Sequence, residues 1–425
     1  MRASFKERRA SRKVRGSDKI SYLPNHVIDI ILTYVPLKDA ARTSILSHQW
    51  RYKWVNLSTL VFDNTFGRVR NLVSSRYKLL MNIFQVLLVH DGPIYEFVLS
   101  VPGLESCLEI DQYLNFVSKK GVQNIILQIW KGKPHVLPQS LFSCLQLIHL
   151  SLCCCVLNKP PPAFRGFSKL VYLILREVAI DAEKLSSLIG KCPLLEHFTI
   201  ESSRSYDYLE VGAPNLKFLH CNAQFENVIY VTTPLLANIS MSLKVLRNEE
   251  AFEEEWTLLE LLGCHSVIED LHLDYYYLKS WLKGGACFSL DHLKVLKLSA
   301  ICFGMTNEVT CAHLLISNCP NLQKLAFEAY SSQEGLTVHD VEFYVELHQK
   351  DLSSCQVREL EMLNISVSWP ELEFIKIMLS KLLKLEKMLI APNFKTVADG
   401  GFNLLKEVAK FQRASPKAVI KFKDW

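Results

Sequence analysis

The amino-acid sequence predicts an α/β protein in which a small unit of three helices precedes a solenoid of repeated strands and a C-terminal capping segment. Three observations support this fold class. An apolar pattern with helical spacing follows residue 17, a strand template recurs through the middle of the chain, and its interval lengthens after about residue 350. Hydrophobic residues make up 49% of the 425 residues and charged residues 21%, which is typical of a folded globular protein.

Residues 1–16 form a basic tail, which we expect to be disordered. The tail holds seven Lys or Arg and one Glu, so it carries +6 while the remaining chain sums to −1. The body therefore lacks the positive charge typical of a nucleic-acid-binding surface. The tail fits a nuclear import signal or a loose nucleic-acid contact, and a merely solvated tail explains it equally well. We expect the protein in the nucleus, the cytoplasm or both.

Neither secretion, a membrane span nor a cofactor is expected. The polar, basic start has no apolar segment typical of a secretory signal, and no apolar run reaches 18 residues. The 13 Cys include no C-x-x-C pair and are best explained as reduced core thiols. The nearest zinc-like pairs, Cys264-His265 and Cys311-x-His313, lack a second ligand pair at useful spacing. No sequence motif of a hydrolase, metalloprotease or nucleotide-binding enzyme is present, so we expect no catalysis.

The first structured segment reads as three short helices. Leu23-Pro24-Asn25 is a turn-to-helix entry, since proline lacks the N–H that a first helical turn leaves unused. Pro36 ends the first helix, a second is expected over Leu37–Ser44, and a third carries Trp50 and Trp54. A unit this small cannot hide its apolar stripe alone, which indicates a partner. The stripe on the first helix comprises Val27, Ile28, Ile31, Leu32 and Val35.

The middle of the chain repeats the template L-x-x-L-x-L, with any apolar residue allowed at the Leu positions. Nine of the eleven intervals between copies fall within the 20–29 residues of leucine-rich repeats. Each repeat supplies one short strand and a return segment, and stacking builds a parallel sheet along a concave surface. The copies start at Ile94, Val122, Leu145, Leu170, Leu195, Leu216, Leu236, Ile268, Leu293, Leu322, Val357 and Leu385.

The segments between strands also repeat. Ala182–Leu188 and Ala312–Ser317 read as helical turns on the convex side. The loops Cys192-Pro193-Leu194 and Cys319-Pro320-Asn321 then lead into the next strand at matching places, which supports the register.

Side chains at the third, fifth and seventh positions of a repeat should point out of the sheet. These residues are either a recognition surface, since aromatic, His and Arg side chains suit binding hot spots, or an ordinary solvated strand face. They are His149, Tyr172, Arg176, His197, Glu201, Phe218, His220, Asp270, His272, Asp274, Lys297, Lys324 and Glu328.

The last part of the chain departs from the repeat interval. Phe402–Phe411 reads as a helix, and Ala418–Phe422 reads as a final strand after the break at Ser415-Pro416. Because the end of a solenoid exposes an apolar surface, this segment is well placed to cap it.

The combined motifs resemble those of one protein family. Asp18-Lys19-Ile20-Ser21-Tyr22-Leu23-Pro24, Arg42-Thr43-Ser44-Ile45-Leu46-Ser47 and Trp50-Arg51-x-x-Trp54 resemble an F-box, which places that domain at residues 17–62. Residues 80–350 look like the leucine-rich repeats of plant F-box proteins. Phe411-Gln412-Arg413-Ala414-Ser415-Pro416 resembles the FBD segment that ends one large plant subfamily, here residues 351–425.

The resemblance implies a substrate receptor of an SCF-type (cullin–RING) ubiquitin ligase. The F-box would bind a Skp-type adaptor, and the concave face of the repeats would bind a protein substrate. Two alternatives stay open: a repeat scaffold that recruits no ligase, and a nuclear regulator that contacts nucleic acid through its basic tail. Carried over to this sequence, the adaptor-binding residues are Leu23, Pro24, Ile28, Ile31, Leu32, Val35, Pro36 and Leu37.

Overall fold

The computed structural model describes residues 20, 23–66, 72–230, 233–242, 267–275, 289–330, 338–350, 352, 355–393 and 402–422. The chain divides into two compact units, the first ending at Gly132 and the second beginning at Lys133. The predicted basic tail, residues 1–16, and the Cys264-His265 pair lie outside the described residues. In the described part of the chain, no helix combines the length and the hydropathy needed to cross a bilayer.

The first unit begins with helical segments in the predicted order. Pro24 and Pro36 stand immediately before the two α-helices, α1 (Asn25–Thr33) and α2 (Leu37–Arg42). The third segment is not the continuous helix that the sequence predicted. It consists of two short 3-10 helices, Thr43–Ile45 and Lys53–Asn56, joined by turns.

Tertiary hydrogen bonds explain the broken third helix. The indole Nε1 of buried Trp50 donates to the Ile20 carbonyl oxygen at 3.0 Å, and Gln49 Nε2 donates to the Leu23 carbonyl oxygen at 2.8 Å. These bonds tie the turn to the chain segment before α1, and such a tertiary contact can override local helix propensity.

The rest of the first unit alternates strands and helices. The parallel strands run in the order β1 (Thr59–Phe62), β2 (Glu96–Leu99) and β3 (Asn124–Gln128), with α3 (Leu72–Val89) and α4 (Leu108–Val117) between them in sequence. β1 was not predicted, although Leu57-x-x-Leu60-x-Phe62 obeys the template and all three side chains are buried. The strand series therefore starts inside residues 17–62.

The second unit is a leucine-rich-repeat solenoid built on a long parallel sheet. Its strand order is β5, β7, β8 and onward to β16, while β4 pairs with β6 in a separate small sheet. The strands are β4 (His135–Val136), β5 (His149–Cys153), β6 (Cys155–Val156), β7 (Tyr172–Arg176), β8 (His197–Val211), β9 (Phe218–Tyr230), β10 (Asn238–Ser242), β11 (Asp270–Asp274), β12 (Val295–Ile301), β13 (Lys324–Ala329), β14 (Glu359–Ile365), β15 (Lys387–Pro392) and β16 (Val419–Phe422). The described helices are α5 (Ala182–Gly190), α6 (Thr306–Ser317), α7 (Val338–Gln349), α8 (Trp369–Lys381) and α9 (Phe402–Ala409), with a 3-10 helix at Gln139–Ser143.

Strand register confirms that the repeats are equivalent. The fourth position of each repeat pairs with the fourth position of the next, and the first, fourth and sixth positions are buried. The chain of paired fourth positions runs from Leu173 through Phe198, Leu219, Ile239 and Leu271 to Leu296.

One predicted repeat was placed two residues too early. The sequence analysis started it at Leu145, but Leu145 and Ile148 are exposed. The repeat starts at Leu147, and Leu150 pairs with Leu173 in β7. The apolar residues within 145–152 satisfy the template in both frames, so the pattern alone could not separate them. The shift reverses the assignment of Leu147 and Ile148 and leaves residues 149–151 on their original faces.

Several strands end with the same backbone turn. Cys154, Glu177, Ala300 and Asn364 adopt left-handed conformations, with φ values of 54°, 49°, 56° and 61°. Each is the eighth residue of its repeat, counted from Leu147, Leu170, Leu293 and Val357. The recurrence of an uncommon conformation at one position shows that the turn belongs to the repeat and is not an isolated irregularity.

The return segments are helical where they were predicted to be, and longer. α5 and α6 contain the predicted Ala182–Leu188 and Ala312–Ser317. After each helix a buried thiol donates back to a helical carbonyl oxygen: Cys192 Sγ to Leu188 at 3.2 Å and Cys319 Sγ to Leu315 at 3.0 Å. Burial raises the pKa of both thiols to about 12, so they are inert core groups, and the described cysteines are free.

The C-terminal segment continues the sheet. β16 pairs in parallel with β15, as the predicted final strand requires, and α9 buries Leu404 and Val408. Ser415 Oγ donates to the Leu385 carbonyl oxygen at 2.6 Å, which ties the turn before β16 to the previous repeat. That this segment acts as a cap, and the domain limits themselves, stay predictions.

Candidate protein-binding surfaces

The first candidate surface lies on the helical segments at residues 23–56. Of the eight residues predicted to bind the adaptor, Pro24, Ile31 and Pro36 are exposed, and Leu23 and Val35 are half-buried. Ile28, Leu32 and Leu37 are buried, so their placement on a docking surface is wrong. Their side chains form the core of these helical segments because an apolar stripe on a short helix packs first against its own neighbours.

The structure shows exposed apolar residues that the sequence analysis did not select. Tyr34 is 85% exposed and Ile45 is 87% exposed, and Ile30, Leu46 and Tyr52 are also exposed. The sequence did contain a signal that Ile30 is exposed. A helix that buries Ile28 and Leu32 must turn the residues between them, Ile30 and Ile31, outward. So many exposed large apolar side chains on one small unit indicate a surface that a partner covers.

Polar contacts hold this surface in shape. Lys53 Nζ lies 3.5 Å from Asp29 Oδ1, which links α1 to the second 3-10 helix. Ser44 Oγ donates to the Arg51 carbonyl oxygen at 2.8 Å. The exposed apolar side chains therefore project from turns that a hydrogen bond and an ion pair within the chain hold in place.

The second candidate surface is the outer sheet face, defined here as the side chains at the third, fifth and seventh repeat positions of β5 and β7 to β15. The residues predicted to point outward lie on it, and most are half-buried. Asp274 is the exception: it is 4% exposed, so the prediction that it faces solvent is wrong. It ends β11 and makes polar contacts inside the protein, as a buried carboxylate must.

An aromatic ladder crosses four strands of this face. His149, Tyr172, His197 and Phe218 occupy the third positions of β5, β7, β8 and β9, which pair in register. Successive ring centroids lie 5.8, 4.5 and 5.8 Å apart, and the Tyr172 and His197 rings are stacked with planes 10° apart. Tyr172 is 41% exposed, so the middle of the ladder is open to a ligand.

A chain of hydrogen bonds continues the face beyond the ladder. Ser240 Oγ lies 2.9 Å from His220 Nδ1 and 2.9 Å from His272 Nδ1, and His272 Nε2 lies 2.8 Å from Ser299 Oγ. Burial lowers the pKa of His272 to about 4, with smaller contributions from the charges of Lys297 and His220. His272 is therefore neutral at physiological pH, and the chain of hydrogen bonds links β9 to β12.

Ion pairs link several charged groups of the face. Arg176 Nε lies 3.0 Å from Glu201 Oε1, and Lys297 Nζ lies 3.9 Å from Glu328 Oε2. Lys324 Nζ lies 2.7 Å from Glu361 Oε1, and this hydrogen bond raises the Lys324 pKa. Burial raises the pKa of Asp270, and the nearby Lys324 charge opposes that rise.

Sequence reasoning found the outward residues but not their organisation. It missed Ser240, Ser299, Glu361 and Asn222, which obey the same positional rule. The Oδ1 atom of Asn222 is buried with no hydrogen-bond partner among the described residues. Chemically the face offers ring surfaces, neutral hydrogen-bonding groups and paired charges, which suit binding. In the described residues, no cluster of three or more His, Cys, Asp or Glu could hold a metal ion.

Comparison with known proteins matches both surfaces to one family. The F-box domain profile matches residues 20–61, and the profile "FBD-associated F-box protein At5g56370, LRR repeats" matches residues 110–327. The F-box/FBD/LRR-repeat protein At1g13570 of Arabidopsis thaliana is 33% identical over 95% of this chain and 98% of its own length.

Two further Arabidopsis thaliana proteins match about half of the chain. F-box/FBD/LRR-repeat protein At2g04230 is 27% identical over 48% of this chain and 47% of its own length. F-box/LRR-repeat protein 13 is 30% identical over 51% of this chain and 49% of its own length. With a helical F-box at residues 20–61, a register-matched repeat sheet and a relative that matches almost end to end, the chain belongs to the F-box/FBD/LRR-repeat protein family.

Proposed function

We propose that this F-box protein is the substrate-recognition subunit of an SCF-type (cullin–RING) ubiquitin ligase. Its helical segments bind a Skp-type adaptor, and its outer sheet face binds a protein substrate. The observation that carries the proposal is the exposed apolar surface around Tyr34 and Ile45 on a small unit whose own core is already formed by Ile28, Leu32 and Trp50. Such a surface needs a permanent partner.

The mechanism is proximity, and the chain supplies no chemical group. Binding of adaptor and substrate to one chain raises the effective concentration of a substrate lysine near the charged ubiquitin carrier. The hydrogen-bonded and stacked outer face supports this role because a preformed surface loses little conformational entropy on binding.

Co-purification with a Skp-type adaptor tests the proposal directly. The variant Tyr34→Ala with Ile45→Ala removes two exposed side chains, so it should fold normally and capture at least about thirtyfold less adaptor, or about 2 kcal/mol. The matched control is Tyr77→Ala with Leu88→Ala, which removes two exposed apolar side chains from α3 of the same unit. It should bind adaptor like the unmodified chain.

A second pair of variants separates docking from folding. Leu23→Ala with Pro24→Ala alters the entry to α1 and should also weaken adaptor capture, because proline fixes the angle at which the helix begins. Ile28→Ala removes a core side chain and should lower the stability of the helical segments by about 2 kcal/mol or more. If the unmodified chain captures no adaptor at all, a repeat scaffold without ligase recruitment replaces the proposal.

The basic tail supports a proposal about location. Residues 1–16 carry +6, which fits import into the nucleus. Deleting them should shift the protein toward the cytoplasm and leave adaptor capture unchanged. A role as a nuclear regulator would instead appear as nucleic-acid binding that falls steeply with salt and disappears with the deletion.

A further inference from the structure

The long helix α3 exposes a row of large apolar side chains that belong to neither candidate surface. Tyr77 is 70% exposed, Met81 36%, Phe84 41% and Leu88 69%. Successive spacings of four, three and four residues are those of a coiled-coil seam, and at about 100° per residue they keep the four side chains within about 60° around the helix. We call these four side chains the α3 stripe.

The α3 stripe lies outside the contact between α3 and the helical segments. Asn82 and Gln85 of α3 line a cavity of about 500 Å³ together with Lys38 of α2 and Trp54 of the second 3-10 helix. This side of α3 is about 100° around the helix from the centre of the stripe. The stripe therefore needs a partner of its own.

The exposed area of the stripe suits a weak interface between proteins. The four exposed fractions leave roughly 400 Å² of side-chain surface open, and an apolar patch of that size often marks a binding site. Two such patches in contact would bury roughly 800 Å², and the stems of Lys78 and Gln85 along their edge bring the total to about 1,000 Å². That area is at the lower limit for a specific interface.

The spacing of the stripe makes it complementary to itself. It reads the same in both directions along the helix, so a two-fold axis through its middle superposes the stripe on itself, as a symmetric dimer interface requires. Tyr77 then lies opposite Leu88 of the second copy, and Met81 lies opposite Phe84. Each contact joins one aromatic ring to one aliphatic side chain, and the contact between Met81 and Phe84 adds the attraction of a thioether for a ring.

The charge of Lys78, at the edge of the stripe, favours antiparallel helices. In that arrangement the two Lys78 residues lie about 13 Å apart along the axis at ~1.5 Å per residue, which exceeds the screening length of about 8 Å at physiological salt. The neutral Gln85 of the second copy is then the nearest neighbour on the same edge. Parallel helices would instead place the two ammonium groups at the same level, where they repel each other.

We infer that α3 is a self-association surface, at which two copies of this chain form a weak antiparallel dimer with the α3 stripe of one copy packed on that of the other. This inference is independent of the proposed function, because none of the four side chains belongs to the adaptor-binding or substrate-binding surface.

Sedimentation equilibrium of the 425-residue chain at about 1 to 100 µM tests the inference. The apparent mass should rise from 48.7 kDa toward twice that value, with a Kd on the order of 10 µM. Tyr77→Ala with Leu88→Ala should weaken self-association at least about tenfold and leave adaptor capture unchanged. The matched control, Tyr34→Ala with Ile45→Ala, removes two exposed apolar side chains from the helical segments and should self-associate like the unmodified chain.

Two charged variants test the antiparallel contact without depending on a loss of binding. Met81→Lys and Phe84→Glu each place a charge opposite an apolar side chain, so each variant alone should be monomeric. Their equimolar mixture should dimerise, because one contact then joins the introduced lysine to the introduced glutamate and the other keeps the original Phe84 and Met81 side chains. In a parallel dimer position 81 would meet position 81, and the mixture would gain no ion pair.

Four outcomes overturn the inference. The unmodified chain stays monomeric at about 100 µM, well above the expected Kd; self-association survives Tyr77→Ala with Leu88→Ala; the control variant loses self-association, which would assign the contact to the helical segments; or the mixture of charged variants stays monomeric. Urea midpoints within error of the unmodified chain establish that each variant is folded. Adaptor capture is measured on the same preparations, and its failure refutes the proposed function alone.

Discussion

The helical segments and the outer sheet face, the two candidate binding surfaces, differ in how far their side chains are already packed. On the helices, Tyr34 and Ile45 project into solvent with most of their surface uncovered. On the sheet, Tyr172 stacks on His197 and meets His149 edge-on, and His272 is held at both ring nitrogens. The helical surface leaves apolar side chains exposed to solvent. The side chains of the outer sheet face are already stacked or hydrogen-bonded to one another.

This difference predicts that binding at the two surfaces would be driven by different free-energy terms. Covering exposed apolar side chains gives a hydrophobic gain roughly proportional to area, about 25 cal/mol per Å², and this suits a permanent subunit. A preorganised face with satisfied polar groups gains less per unit area but loses less entropy, which suits exchange of substrates. Variants that change one surface and spare the other can test that contrast.

Truncation at the C-terminal end should have the largest effect. Deleting residues 399–425 removes α9 and β16 and would uncover the β15 edge together with the surface covered by Leu404 and Val408. We expect aggregation or loss of soluble protein, because an exposed strand edge and apolar end promote association. Deleting residues 1–16 is the control and should leave solubility unchanged. A soluble truncated chain that unfolds cooperatively would show that the segment is an appendage and not a cap.

Adjacent residues on β12 should differ sharply in their contribution to stability. Leu296 is fully buried, so Leu296→Ala should lower the free energy of unfolding by about 2–5 kcal/mol through lost burial and the cavity left behind. Lys297 makes only a 3.9 Å ion pair on the half-exposed face, so Lys297→Ala should cost less than about 1 kcal/mol. Urea midpoints of the two variants measure the difference, and similar midpoints would contradict the assignment of inward and outward positions.

The contrast also explains what the sequence could predict. In the sheet, a period of two residues assigns every side chain to a face, so Tyr172, His197 and Lys297 were placed correctly before any coordinates. The error at Leu145 reversed the assignment of Leu147 and Ile148 but left His149 on the outer face. On α1, the apolar residues from Val27 to Val35 span more of the helix surface than one packing contact covers. The helical period alone does not show which of these side chains pack in the core and which stay available to a partner.

Side-chain contacts between neighbouring repeats were beyond sequence reasoning. Tyr172 and His197 are 25 positions apart in number, and only the strand register brings their rings to 4.5 Å. The same holds for Ser240, which joins two histidines from strands on either side of its own. The prediction of a continuous third helix was wrong for a related reason. The hydrogen bond from Trp50 to Ile20 is a tertiary contact that local helix propensity does not encode.

Acidification should weaken the sheet through His272. Burial lowers its pKa in the folded state to about 4 from an ordinary value of 6.5, so the fold favours the neutral ring. The resulting stability is present above pH 6.5 and is lost as the pH falls toward 4. Because the ring is partly solvated, we expect a loss on the order of 1 kcal/mol at pH 5.0.

The comparison of His272→Gln with the unmodified chain measures this contribution. The drop in urea midpoint between pH 7.5 and 5.0 should be smaller in the variant, because glutamine does not titrate. The control His292→Gln replaces an exposed histidine next to β12 and should leave the drop unchanged. An identical drop in all three proteins would mean that the chain from His220 to Ser299 tolerates a protonated ring.

The smallest effects should come from single pairs on the outer face, and they distinguish stacking from ion pairing on the same two strands. Tyr172 and His197 stack at 4.5 Å, while Arg176 and Glu201 form an ion pair at 3.0 Å, and both pairs join β7 to β8. A double-mutant cycle with Tyr172→Ala and His197→Ala should give a coupling energy of about 0.5–1.5 kcal/mol, as stacked rings do. A cycle with Arg176→Gln and Glu201→Gln should give about 0.2–1 kcal/mol in low salt and less in 0.5 M NaCl, because the Arg176 side chain is 41% exposed and the charges are screened. Salt should leave the ring coupling unchanged. If instead the ring coupling vanishes and the ion pair dominates, the outer face is organised by charge, and the contrast between an apolar helical surface and a stacked sheet face no longer holds.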